Sequence, residues 1–163
     1  MSPDAIAPSR IVKAVHGLKK GREDPAYHRE MVSELKERYG RDGLIELYGR
    51  FSSGEGFVDA MMRRMILQAL SRRCGTGLQV GATACFKHAE TFELGDGVFI
   101  GAQANIQGRF DGTCRIGNNV WIGPQAFIDA RDVSIGDNVG WGPGAKLLGS
   151  IHTGSPIDIP IIR

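Results

Sequence analysis

The sequence predicts a mainly β protein, in which a parallel β-helix follows an N-terminal α-helical cap. The first observation behind this prediction is a six-residue phrase, an apolar residue followed by glycine, which recurs between Val80 and His152. The second is the distribution of glycine: in a chain of 163 residues, 16 of the 23 glycines come after Arg73. The third is a helix-like apolar spacing before Arg73. The phrases begin at Val80, Leu94, Ile100, Ile116, Ile122, Ile135 and Trp141.

The six-residue repeat fits neither an ordinary strand, with a period of two, nor an α-helix, with a period of 3.6. A short strand that runs, bends at a corner and runs again explains it, with the apolar residue inward and glycine at the bend. Three such strands make one coil of about 18 residues, so successive coils stack by parallel pairing. The expected triplets are Leu94, Ile100 and Ile106; Ile116, Ile122 and Ile128; and Ile135, Trp141 and Leu147, after a less regular turn around Val80, Phe86 and Phe92.

Two departures from the six-residue spacing predict where the coil surface is interrupted. One extra residue follows Ile128, and four extra residues follow Ile106. The longer insertion must bulge outward as a loop that carries Arg109, Phe110 and Asp111. Arg109 and Asp111 would then either touch a substrate or lie in a plain solvent loop.

The front of the chain predicts three helices. Asp24 is expected to cap the first, with Pro25 at its first position and Gly40 as its stop. Its apolar residues recur every four positions: Tyr27, Met31, Leu35 and Tyr39. Asp42 is expected to cap a second helix, and a third runs from about Phe57 to Arg73. The expected buried face of the third helix holds Phe57, Val58, Met61, Met62, Met65, Ile66 and Leu70.

These patterns divide the chain into four segments. They are a flexible N-terminal segment over 1–22, a helical cap over 23–75, β-helix coils over 76–152, and an extended C-terminal arm over 153–163. Helices this short are not stable alone. We therefore expect them to cover the first coil, whose end exposes unpaired backbone and an apolar cross-section.

Composition narrows the function classes. The formal net charge is only +2, so neither nucleic acid nor an anionic membrane is an expected partner. Three cysteines without a CxxC spacing argue against a disulfide framework or a zinc knuckle. Residues 1–22 lack the apolar core of a signal peptide, and no run of 18 apolar residues predicts a membrane span. We expect a cytoplasmic protein.

From Val80 to Arg163 the sequence resembles the hexapeptide-repeat acyltransferases, whose fold is a left-handed parallel β-helix. The helical stretch that leads into the first coil is similar to the sugar O-acetyltransferase branch, which includes galactoside, maltose and nodulation-factor enzymes. In that family the catalytic histidine lies five residues after the third aliphatic corner of a coil. His152 lies five residues after Leu147, although Thr153 follows it where relatives have proline or aspartate.

The resemblance implies an acetyl-CoA-dependent O-acetyltransferase that acts on a sugar or polysaccharide precursor. His152 would be the catalytic general base, because imidazole takes a hydroxyl proton near neutral pH. Asp129 would bind acceptor hydroxyls or orient the imidazole, or else stabilise a turn. Gln125 lies in the coil where relatives often offer an asparagine to the acceptor. Trp141 would face a subunit interface, shape the cleft near His152, or pack within its coil.

The resemblance also implies a homotrimer with coenzyme A bound between subunits, along further coils after the histidine. The sequence has no further repeat phrases after His152, so we expect the donor-binding coils to be largely absent and the arm to pack on a neighbouring chain. Consequently no residue is assigned to coenzyme A. The alternatives are an N-acetyltransferase of an amino sugar or antibiotic and a non-catalytic trimeric scaffold. A metal site like that of the β-helical carbonic anhydrases needs three histidines, but the repeat region holds only His88 and His152, so no metal is expected.

Overall fold

A parallel β-solenoid of about four coils follows two α-helices. The computed structural model describes residues 23–150, 154 and 158. The helices are α1 (Ala26–Phe51) and α2 (Phe57–Leu70), and a 3₁₀ turn spans Ala89–Thr91. The strands are β1 (Arg73–Cys74), β2 (Gln79–Val80), β3 (Cys85–Lys87), β4 (Phe92–Leu94), β5 (Phe99–Ile100), β6 (Asn105–Ile116), β7 (Trp121–Ile122), β8 (Phe127–Ile135), β9 (Gly140–Trp141) and β10 (Lys146–Leu147). The prediction of a mainly β solenoid with an N-terminal helical part is confirmed.

All of the strand pairs are parallel among the described residues, and they join equivalent positions of successive coils. One ladder joins Val80, Ile100, Ile122 and Trp141. A second joins Phe86, Ile106, Ile128 and Leu147, and a third joins Cys74, Leu94, Ile116 and Ile135. The central isoleucines of these ladders are fully buried, so they form the apolar core of the solenoid.

The first coil differs from the prediction in its third corner. Phe92 was expected there, with Val80 and Phe86. Instead Cys74 pairs with Leu94, while Phe92 pairs with Cys114 and is fully buried in the next coil. The segment from Phe86 to Leu94 is two residues longer than the six-residue repeat, and it contains the 3₁₀ turn. The extra length places Leu94, and not Phe92, at the next corner.

Glycine is needed in the phrase because consecutive coils approach closely at the bend. A Cβ added at Gly101 would lie 2.5 Å from the backbone nitrogen of Pro124 in the next coil. Other corner residues have positive φ, among them Gln103 and Gln125, both at 60°. The repeat therefore reflects the closeness of the coils as well as the bend itself.

The two helices pack on each other and on the first coil. Leu35 and Leu44 of α1 pack with Met65 and Ile66 of α2, whereas Leu67 belongs to the solenoid core. Gly40 kinks α1 with φ of 58° and ψ of −176°, so the two helices predicted on either side of it are confirmed as the two arms of α1.

The predicted buried faces are partly wrong. Tyr27, Met31 and Tyr39 are 58%, 46% and 48% exposed, and Phe57 is 80% exposed. Four residues make slightly more than one helical turn, so a strict spacing of four winds around the helix and only Leu35 faces α2. The predicted cap is also wrong: Pro25 is the N-cap of α1.

Side chains of the helices satisfy the unpaired backbone of the first coil. Arg63 is 3% exposed and donates from Nε to the carbonyl oxygen of Val80 at 3.1 Å. Tyr48 donates its hydroxyl to the carbonyl oxygen of Ala84 at 2.8 Å. The backbone N–H of Thr83 donates to the carbonyl oxygen of Ser52 at 2.6 Å. The helical cap thus closes one end of the solenoid with hydrogen bonds as well as apolar contacts.

The predicted flexible segment 1–22 and most of the predicted arm 153–163 lie outside the described residues. Within the described part of the chain, no helix is long and apolar enough to cross a membrane.

Candidate functional site

The predicted catalytic residue, His152, lies outside the described residues, but the strand that leads to it is described. Leu147 of β10 pairs with Ile128 of β8. Two residues later, a Cβ added at Gly149 would lie only 2.4 Å from the carbonyl oxygen of Asp129. The chain therefore passes directly beside Asp129 shortly before it reaches His152.

The predicted outward bulge is confirmed, but its residues belong to the continuous strand β6 and do not form a loop. In the pairing of β6 with β8, Gly108 aligns with Ala130 and Thr113 with Asp132. Four residues of β6 therefore stand opposite the single residue Arg131 of β8. The extra residues project from the coil, and the Phe110 side chain is 72% exposed.

The bulge forms one wall of a polar groove of about 320 Å³. We call it the bulge groove, and it is lined by Lys87, His88, Gln107, Gly108, Arg109, Phe110, Asp129 and Arg131. Its floor is a ladder on the outer surface of the solenoid, because Lys87 pairs with Gln107 and Gln107 with Asp129. An ammonium, an amide and a carboxylate therefore lie on successive coils, about 4.8 Å apart.

Ion pairs fix most of the charged side chains around the bulge groove. Asp129 Oδ2 accepts from Arg131 Nε at 3.3 Å, and Asp111 Oδ1 accepts from Arg109 Nε at 2.5 Å. Lys87 has no ion-pair partner among the described residues. Of the three groove cations, Lys87 is thus the one left without a carboxylate by the part of the chain that the structure describes.

A histidine–carboxylate pair lies at one end of the bulge groove. His88 Nδ1 is 2.9 Å from Glu90 Oε1, and Glu90 Oε2 is 3.2 Å from Arg41 Nε. Partial burial alone would raise the pKa of Glu90, but the hydrogen bonds from His88 and Arg41 outweigh it and lower that pKa. An ionised Glu90 only accepts hydrogen bonds, so Nδ1–H of His88 is the donor of this pair.

The other two predicted binding residues lie elsewhere on the solenoid. Gln125 is exposed at a corner with φ of 60°, and its Nε2 donates to Gln103 Oε1 at 2.9 Å. Trp141 continues the ladder of inward residues and packs partly buried against the core. Its buried indole N–H has no hydrogen-bond acceptor among the described residues. Neither residue lines the bulge groove.

Sequence reasoning missed Lys87 and Gln107 as functional candidates and assigned no role to His88. The signal was present in the repeat itself. Lys87, Gln107 and Asp129 each follow a corner residue by one position, so aligning the coils predicts that they share a surface column. The position of Phe110 could not be found in this way, since it lies in an insertion with no counterpart in the other coils.

Comparison with known proteins adds no family assignment. A scan against models of protein families finds no match to the chain, and a search of curated proteins finds no significant relative. The class that the described residues define is therefore the parallel β-solenoid with a helical cap and a polar groove beside its bulge.

Proposed function

We propose that the chain is a hexapeptide-repeat acyltransferase with a left-handed β-helix, and that it transfers acetyl from acetyl-CoA to a hydroxyl of a sugar or polysaccharide precursor. The observation that carries this proposal is the spacing of five residues between Leu147 and His152. It is supported by the pairing of β10 with β8, which leads the chain past Asp129.

Chain connectivity supports a role for His152 at this end of the solenoid. His152 follows Gly149 by three residues in the sequence, and Gly149 lies beside the backbone of Asp129. In the proposal, His152 and Asp129 act on the same acceptor. Asp129 would then bind an acceptor hydroxyl.

In the proposed reaction, His152 removes the proton from the acceptor hydroxyl while the hydroxyl oxygen attacks the thioester carbonyl of acetyl-CoA. The acyl carbon forms a C–O bond and the C–S bond breaks. Protonated His152 then gives its proton to the departing sulfur, so coenzyme A leaves as the thiol. General-base help of this kind contributes a factor of about 10²–10⁴ in rate. Alignment of the two substrates contributes further.

The oligomer and the donor site belong to the same proposal. A homotrimer would bring a second subunit to the edge of the coil, and coenzyme A would bind between subunits. Gln125 remains a proposed acceptor contact, and Trp141 a proposed part of the cleft wall. A cytoplasmic location is proposed from the three cysteines, which lack a disulfide-type spacing.

Acetyl-CoA consumption tests the proposal. The purified protein is incubated with acetyl-CoA and a panel of monosaccharides, disaccharides and amino sugars, and the released thiol is measured. We expect release that depends on a sugar acceptor. If no acceptor raises thiol release above the background hydrolysis of acetyl-CoA, the proposed acetyltransferase activity is contradicted and the trimeric scaffold is favoured.

The same experiment separates O- from N-acetylation. Glucose and glucosamine differ only in the hydroxyl or amine at C2. Treatment of the product with alkaline hydroxylamine removes an O-acetyl ester and leaves an N-acetyl amide. Loss of the added 42 mass units of acetyl, roughly one group per acceptor, is the expected result.

A further inference from the structure

We propose that the bulge groove binds an acidic saccharide, in particular a uronic acid unit of a glycan. This inference names the acceptor class for the proposed function and rests on that function only where acetyl transfer is concerned. Binding itself requires only the residues of the groove. Three features of the groove favour such a ligand: an aromatic platform, a polar ladder and a cation without a carboxylate partner among the described residues.

Phe110 supplies the platform. Its side chain is 72% exposed at the tip of the bulge and lines the groove. Its position is fixed from two sides. The edge of the His88 ring meets it at a centroid distance of 6.1 Å, and the guanidinium of Arg109 lies 5.7 Å from its centroid. A held, exposed ring of this kind offers an apolar face for the C–H side of a pyranose.

The ladder supplies hydrogen bonds at the spacing of a sugar ring. The Gln107 amide can donate and accept hydrogen bonds, and the Asp129 carboxylate can accept them. The two residues lie on adjacent coils, about 4.8 Å apart. Their side chains could therefore bind two hydroxyls of one pyranose. His88 also lines the groove, and its Nδ1 is paired with Glu90 Oε1 at 2.9 Å.

Lys87 supplies the preference for an acid. The two arginines of the groove already pair with Asp111 and Asp129. Lys87 is the groove cation without a carboxylate among the described residues, and it lies at the far end of the ladder from Asp129. A carboxylate at C6 of a uronic acid would pair with Lys87 while the ring hydroxyls meet Gln107 and Asp129. A neutral hexose would leave Lys87 unpaired.

Glucose and glucuronate test this proposal, because they differ only at C6. Binding is measured by NMR titration of the full chain without acetyl-CoA. We expect wild-type protein to bind methyl glucuronoside about tenfold more tightly than methyl glucoside, as a charge-assisted hydrogen bond implies. Lys87→Gln should remove that preference and leave the affinity for the glucoside within about twofold. Phe110→Ala should weaken both ligands about fivefold or more.

Matched controls come from the helical cap. Lys36→Gln removes an exposed cation of α1, and Phe57→Ala removes an aromatic side chain that is 80% exposed. Both controls should bind like wild type. The proposal is overturned if wild type binds neither glycoside, if it binds both equally, or if Phe110→Ala binds as well as wild type. Binding without acetyl transfer would contradict only the proposed acetyltransferase activity. Acetyl transfer to sugars that is unaffected by Lys87→Gln and Phe110→Ala would contradict only the proposal that the bulge groove binds the acceptor.

Discussion

Replacement of Arg63 by methionine tests how the helical cap is joined to the solenoid. Arg63 lies in α2, is 3% exposed and donates to three backbone carbonyls. Nη1 reaches Phe51 O at 2.8 Å and Gly54 O at 2.5 Å, and Nε reaches Val80 O at 3.1 Å. One guanidinium is thus hydrogen-bonded to the end of α1, to the following turn and to the first coil.

The expected loss follows from those three contacts. A hydrogen bond to a charged group contributes about 1.5–3 kcal/mol, and an acceptor left buried without a donor costs about 1–3 kcal/mol. Methionine keeps most of the apolar stem, so the packing loss is small. Because water reaches part of the turn, the three losses do not add fully, and we expect Arg63→Met to lower the free energy of unfolding by about 3–5 kcal/mol.

Urea denaturation followed by circular dichroism measures this loss. Arg73→Met is the matched control, since Arg73 is exposed at the start of β1 and has no ion pair among the described residues. The control should change the free energy of unfolding by less than about 0.5 kcal/mol. A loss of under about 1 kcal/mol for Arg63→Met would refute the reasoning, because it would mean that these carbonyls are satisfied in some other way.

Four further predictions concern the coils. Ile122 is fully buried in a central ladder, so Ile122→Ala should lower the free energy of unfolding by about 2–5 kcal/mol in the same assay; a loss below about 1 kcal/mol would contradict its core position. A Cβ at Gly112 would lie 1.5 Å from the carbonyl oxygen of Arg131, so Gly112→Ala should deform the bulge and shift amide NMR signals there, and an unchanged spectrum would argue against this packing. Burial raises the pKa of the Cys114 thiol to about 12, so iodoacetamide at about pH 8 should alkylate exposed Cys85 and spare Cys114 in mass spectra of the folded protein. The thiol of the unfolded chain ionises near its ordinary pKa of 9.0, whereas the folded chain keeps it protonated to about pH 12. The free energy of unfolding should therefore fall as the pH rises from about 9 towards 12, and Cys114→Ala should reduce that fall.

The solenoid could be predicted because its constraint is repeated in every coil. Each inward residue must fill the same core position, so Ile100 and Ile122 carry the same signal, and the insertion after Ile106 stands out against it. The burial of the helices was harder to predict. Tyr27 and Phe57 have the spacing of a buried face, but the described residues leave both largely exposed, and the sequence of one helix does not show where its neighbour ends.

The candidate site was only partly predictable for a related reason. Asp129 was found from its position one coil before His152, whereas the groove around it joins residues from three coils. His88 lies in an irregular turn, and its role depends on Glu90 and Arg41, which meet only after α1 packs against the first coil. Trp141 was identified as an unusual corner residue, and the structure assigns it to the inward ladder.

The most direct test of the central proposal is the rate of acetyl transfer by the His152→Ala variant, with Ser150→Ala as a control on the same segment. For an acceptor that wild type uses, we predict that kcat/KM falls by about 10²–10⁴ in His152→Ala and stays within a few-fold of wild type in the control. If His152→Ala retains activity within a few-fold of wild type, this imidazole is not the base that activates the hydroxyl, and acyl transfer by this residue is contradicted.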